Sequence, residues 1–218
     1  MQFDEFIKRL PKLNNLQLLG QEAHYLMAPT ERIDELAALD IEQRKPRWAG
    51  VMSLFYPSAQ NGETMLVLIL RKTYKGVHSN QVGFPGGKAE ASDNSIEETA
   101  LRETEEEIGV ERSSIEIYKK LTKIYIPPSN FWVQPFIGII RYTPNFVKEE
   151  SEVESILEVK LTEFLADSSI VSQTVDTSYG KMVDVPAFLL TKNIVWGATA
   201  MMLSEVKWAL QQLEEDKR

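Results

Sequence analysis

The sequence predicts an α+β domain built in layers. Three observations carry that expectation: short apolar runs of strand character begin near Trp48, a helix between Ser95 and Ile108 is marked at both ends, and an apolar helical pattern runs from Ile194 to Leu213. Strands and helices are mixed rather than regularly alternating, which disfavours a doubly wound parallel sheet. With 218 residues, 43% of them hydrophobic, the chain fits one main domain plus an extension. Residues 1–45 are read as an N-terminal helical extension and residues 46–218 as the domain, including its C-terminal helix.

Phe3, Phe6, Ile7 and Leu10 recur at helical spacing before Pro11, so a short amphipathic helix is expected there, followed by a partly helical stretch around Arg32 to Leu39. Ala49 to Tyr56 and Met65 to Arg71, separated by Pro57, Asn61 and Gly62, read as a hairpin. Residues 72–83 form a loop into Phe84-Pro85-Gly86-Gly87. Ser95 with Glu98 gives a capping-box pattern, and Gly109 stands where a helix C-cap glycine belongs. Ile115 to Ile126 and Val133 to Tyr142 read as strands joined by Pro127-Pro128-Ser129-Asn130. An acidic stretch, Glu149 to Glu154, precedes the apolar segment Leu157 to Phe164. The closing helix carries Trp196, Met201, Met202, Val206 and Leu210, a cluster read as packing or as a homodimer interface.

Composition narrows the chemistry. Without cysteine there is no disulfide, thiolate ligand or cysteine nucleophile, and His24 and His78 are the only histidines. Any metal is therefore expected to rest on oxygen ligands, which suits Mg2+ or Mn2+. A net charge of −8 argues against nucleic acid and anionic membrane as partners, so an anionic substrate would need local compensation by metal and arginine. The apolar stretch Met65 to Leu70 is too short to span a bilayer and the first residues do not resemble a signal segment, so a cytoplasmic location is expected.

Glu103, Glu106 and Glu107 fall within a roughly 100° arc of their helix, while Glu105 points elsewhere. Three like charges on one stripe repel unless a divalent cation uses their oxygens; the alternative is an ordinary solvated acidic face. The Phe84-Pro85-Gly86-Gly87 turn supplies small residues where backbone can approach a phosphate, Gly87 among them. Arg102 is placed to pair with Glu98 or to orient Glu103. Arg71 could grip a phosphate bidentately or be a strand-end charge, and Arg32 is a weaker version of the same idea. His78 could bind phosphate or be solvated, and Phe131 and Trp132 could stack on a base or join the core.

Arg102-Glu103-Thr104-Glu105-Glu106-Glu107-Ile108-Gly109-Val110 resembles the second half of the Nudix box, with Thr104 at an apolar position. Counted from Gly87, the box's first glutamate is Asp93, followed by eight residues rather than seven before Arg102. That insertion is similar to the coenzyme A pyrophosphatase branch of the Nudix hydrolases. Upstream, Arg71 and the Phe84–Gly87 ending match a second pattern of that branch, whereas Lys72, Gly76 and Asn80 depart from it. His78, Gln81 and Val82, and later Trp196, Gly197, Thr199 and Ala200, resemble further segments of it.

The resemblance implies an α/β/α sandwich with a mixed sheet and metal-dependent attack of water on a nucleoside-linked pyrophosphate. The implied metal ligands are Glu103, Glu106, Glu107 and the Gly86 carbonyl. The general base would be Glu103 or a carboxylate from a later loop, for which Glu152 is the candidate. The implied substrate is coenzyme A or acyl-coenzyme A, cut to 3',5'-ADP and (acyl-)4'-phosphopantetheine. Another nucleoside diphosphate derivative, such as ADP-ribose, a dinucleotide or a modified nucleoside triphosphate, is an alternative, and a Nudix-like binding module without catalysis is a third.

Overall fold

β1 (Arg47–Pro57) and β2 (Thr64–Arg71) are buried for most of their length, which is why both read as unbroken apolar runs. They pair antiparallel only near their turn, Leu54–Pro57 against Val67–Thr64. Beyond that point they part, and the chain from Val82 to Lys88 wedges between them. β3 (Val82–Gly83) pairs with β2 at Ile69 and Leu70, and β4 (Gly86–Lys88) pairs with β1 at Ala49 to Val51. The computed structural model describes residues 1–29, 33, 39–72, 81–176 and 182–213. Most of the helical stretch expected around Arg32 to Leu39 therefore lies outside the described residues.

On the far side of β1, β5 (Glu116–Lys120) and β6 (Ile124–Ile126) both pair antiparallel with β7 (Phe131–Ile139), which itself runs parallel to β1 from Arg47↔Phe131 to Phe55↔Ile139. The sheet is mixed, as expected. The single strand expected from Ile115 to Ile126 is broken at Leu121–Lys123. Pro135 of β7 has no N–H to offer the ladder; its carbonyl takes the Leu121 N–H at 3.0 Å, and the Gln134 side-chain amide donates to the Leu121 carbonyl at 2.6 Å. The next N–H, of Thr122, is taken by Glu205 of the closing helix at 2.9 Å. β8 (Val153–Lys160) completes the sheet on β2.

The sheet carries a helical layer on each face. One apolar cluster joins Val51, Phe55, Leu66 and Leu68 to Met201, Leu203, Val206 and Leu210 of the closing helix Gly197–Gln212. Phe3, Phe6, Leu10 and Leu13 belong to this same cluster, with the Phe6 ring 5.2 Å from that of Phe55. The opposite cluster joins Met52, Leu54, Val67 and Ile69 to Ala100 and Ile108 of the helix Ile96–Ile108. The α+β layered architecture is thus present. The closing helix begins at Gly197 rather than Ile194, because Asn193–Val195 form β11, which pairs with β10 (Met182–Leu190). With β9 (Ile170–Asp176) they make a second, antiparallel sheet that the sequence reading did not anticipate.

The helix Ile96–Ile108 lies so close to β1 that a Cβ on Gly50 would overlap the Ile96 carbonyl and come within 2.9 Å of the Ala100 nitrogen. Gly50→Ala should lower stability by about 1–3 kcal/mol, as overpacked cores do, read as a lower urea midpoint at unchanged m-value.

Candidate active site

The acidic helix is fixed at both ends before its carboxylates are placed. Ser95 caps it, its Oγ accepting from the Glu98 N–H at 3.1 Å, and Gly109 ends it at φ +72°. Glu98 bonds the Asn94 N–H and side-chain amide at 2.8 Å instead of reaching back to Ser95, so the expected capping box is one-sided. Thr104, at an apolar position of the motif, is fully buried and donates to the Ala100 carbonyl at 2.6 Å, which satisfies its hydroxyl inside the layer.

Arg102 gathers the acidic stripe. Its Nε and Nη2 grip Asp93 at 2.9 and 3.0 Å, Nη2 also reaches the Lys88 carbonyl at 3.1 Å, and Nη1 donates to Glu103 at 3.0 Å and Glu106 at 2.8 Å. The Glu98 partnership weighed from spacing is not the one adopted. Asp93 is locked in turn by the Glu90 N–H at 2.9 Å and the Thr99 hydroxyl at 2.8 Å. Hydrogen bonding from Arg102 holds the Asp93 carboxyl well below the usual carboxylate range. In the sequence Asp93 is a departure from the motif that, with the extra residue, resembles one branch of it; its role as the clamp of Arg102 has no signal beyond that unusual spacing.

Glu107 faces the glycine turn. It is 2% exposed; its Oε2 accepts the Gly86 N–H at 2.7 Å, and Arg71 stands 3.4 Å from its Oε1. Gly86 takes φ +143° there, and a Cβ would run into Gly50 and Val51 of β1. A Cβ on Gly87 would overlap the Glu103 carboxylate, so the second glycine makes room for an acidic side chain. The Glu149–Glu152 loop is tied to the helix end, the Glu149 N–H donating to the Glu107 carbonyl at 3.0 Å.

Burial pushes Glu107 up to about 7, against Arg71 and the Gly86 N–H, with Glu103 and Glu152 adding to the rise. Burial also raises Glu103, opposed by Arg102 and reinforced by Glu106 and Glu152. Glu152 thus lies near enough for its charge to bear on both. Glu103, Glu106, Glu107, Glu152, Gly86, Gly87, Arg71 and Arg102 are brought to one end of the helix and the wedge, while Arg32 and His78 lie outside the described residues. Trp132 instead stacks on Trp48 with ring centres 6.3 Å apart, and Phe131 lies under the Arg47 guanidinium.

Among the described residues no three acidic or histidine side chains stand together as a ready metal cage. The cause is local: Glu103 and Glu106 are turned onto Arg102, and Glu107 onto Gly86. The chemistry of the set nonetheless fits a hard divalent cation. All the donors are oxygens, and burial, reinforced by neighbouring carboxylates, disfavours the charged forms of Glu103 and Glu107, a penalty that such a cation would offset.

The family model described as the NUDIX domain matches residues 46–171. A Nudix hydrolase named NudL from Yersinia enterocolitica is 35% identical over 52% of this chain and 57% of its own length. NudL of Yersinia pestis is 32% identical over 65% of this chain and 70% of its own. A solved MutT/nudix family protein from Enterococcus faecalis shares the fold at 16% identity and a TM-score of 0.50, covering 89% of this chain and 74% of that one. No helix among the described residues is long and apolar enough to cross a membrane.

Because Glu107 titrates near 7 when folded and near its ordinary 4.5 when unfolded, the folded protein holds the extra proton between those values, and stability falls as pH rises through them. Metal-stripped protein should lose on the order of 3 kcal/mol from pH 4.5 to 7 through this group, measured by denaturant melts. Glu107→Gln should flatten that slope.

Proposed function

The chain belongs to the NUDIX domain family, and from that premise we propose that it is a metal-dependent pyrophosphohydrolase acting on coenzyme A or acyl-coenzyme A. The products would be 3',5'-ADP and (acyl-)4'-phosphopantetheine. The observation that carries the reaction is the meeting of half-buried Glu103 and buried Glu107 with the Gly86–Gly87 turn, whose lack of side chains lets both carboxylates lie against its backbone. The substrate rests on sequence: the extra residue before Arg102 and the Trp196–Ala200 segment resemble the coenzyme A branch.

Glu103, Glu106, Glu107 and the Gly86 carbonyl would hold Mg2+ or Mn2+. When bound, such a cation would neutralise phosphate charge and acidify water in its sphere. Around it the chain's residues have distinct tasks. Arg102, itself held by Asp93, fixes the directions of Glu103 and Glu106. Gly87, lacking a side chain, lets the Glu103 carboxylate lie directly against the turn. Glu103, 14% exposed, or Glu152 accepts the proton as a water oxygen bonds to one phosphorus and the bridging oxygen departs with the other phosphoryl group.

Chromatography of a reaction with coenzyme A and Mg2+ should show 3',5'-ADP and 4'-phosphopantetheine. Absence of phosphopantetheine alongside turnover of ADP-ribose, a dinucleotide or a nucleoside triphosphate would move the protein to another substrate, and no turnover of any would make it a binding module. Glu106→Gln and Glu107→Gln should each cut kcat on the order of 100-fold or more with circular dichroism unchanged. Asp93→Asn, which touches no substrate, should cost about 10–100-fold by freeing Arg102.

A further inference from the structure

Arg71 is placed as a rival of a cation, and the reason begins in its strand. It ends β2 where the register with β8 shifts between Leu70 and Arg71, an irregularity that re-aims the side chain. Its backbone is held on either side: the Arg71 N–H donates to the Gln81 carbonyl at 3.0 Å, and the Lys72 N–H to the Glu152 carbonyl at 2.9 Å. From this fixed root Nη2 donates to the Gly86 carbonyl at 2.7 Å and stands 3.4 Å from Glu107 Oε1. One guanidinium thus covers both the carbonyl and the free carboxylate oxygen assigned above to the metal, while Glu107 Oε2 is engaged by the Gly86 N–H. The side chain is 26% exposed, against 10% for Arg102 with its five donated bonds, so Arg71 is the arginine able to leave.

We propose that Arg71 is a resident counter-charge that a divalent cation must displace from Gly86 and Glu107, and that the displaced guanidinium is then released to the substrate's phosphate. The inference rests on the metal assignment in the preceding subsection. It makes metal loading and phosphate capture two sides of one exchange, because a divalent cation and the guanidinium repel one another and compete for the same two oxygens. By linkage, whatever draws Arg71 off Glu107 strengthens cation binding there, and cation binding raises affinity for the phosphate that Arg71 then meets.

The test is Mn2+ binding to metal-stripped protein without substrate, followed by calorimetry and by Mn2+ paramagnetic resonance. Arg71→Gln should bind Mn2+ about 10-fold more tightly than wild type, within the usual range of coupled sites. Arg71→Lys, which keeps the charge but loses the planar fork, should fall between the two. KM for the pyrophosphate substrate should rise in both. Mn2+ affinity unchanged or weaker in Arg71→Gln, or wild-type affinity in Arg71→Lys, would overturn the displacement. Glu107→Gln separates the two ideas: if it binds Mn2+ as wild type does, the metal assignment itself fails, whereas lost binding there with no gain in the Arg71 variants defeats this inference alone.

Discussion

The contact on which the site depends is the bond from the Gly86 N–H to the buried Glu107 carboxylate. It joins the acidic helix to the chain wedged between β1 and β2, and it requires a charge-bearing group to sit almost out of water. A carboxylate so placed is costly without compensation. Three neighbours supply it against the repulsion of Glu103 and Glu152: Arg71 on one oxygen, backbone on the other, and the glycine turn whose lack of side chains lets backbone reach the acid at all.

Two arginines divide the acidic stripe between them, and their differences matter more than their shared charge. Arg102 is enclosed, its guanidinium spread over Asp93, Lys88, Glu103 and Glu106, so it acts as part of the scaffold. Arg71 comes from a different element, is more exposed, and touches the opposite end of the stripe. The protein thereby offsets the repulsion among its gathered carboxylates without metal while keeping one of the two compensating charges removable.

Much of this was legible in the sequence because the determinants are local. Ser95 and Gly109 mark the helix, the spacing of Glu103, Glu106 and Glu107 sets their stripe, and the apolar runs of β1 and β2 reflect burial on both faces. What was not legible is non-local. Nothing in Asp93 announces that it will clamp Arg102 rather than simply replace a motif glutamate. The break at Leu121–Lys123 depends on Pro135 and Gln134 of a facing strand and on Glu205 from the closing helix. The β9–β11 sheet escaped because its strands mix apolar with polar residues and lean on a second layer that no short window reveals.

The wedge between β1 and β2 changes what kind of segment the glycine turn is. Because Val82–Gly83 pairs with β2, Gly86–Lys88 with β1, and the Pro85 carbonyl accepts the Met52 N–H at 2.9 Å, the turn is woven into the central sheet at almost every residue. Amides paired in this way are expected to exchange with solvent through opening of the sheet itself rather than through fraying of a loop. The floor of the site therefore has the mechanical character of core β-structure, and mobility needed for substrate entry must come from side chains and from segments outside the weave.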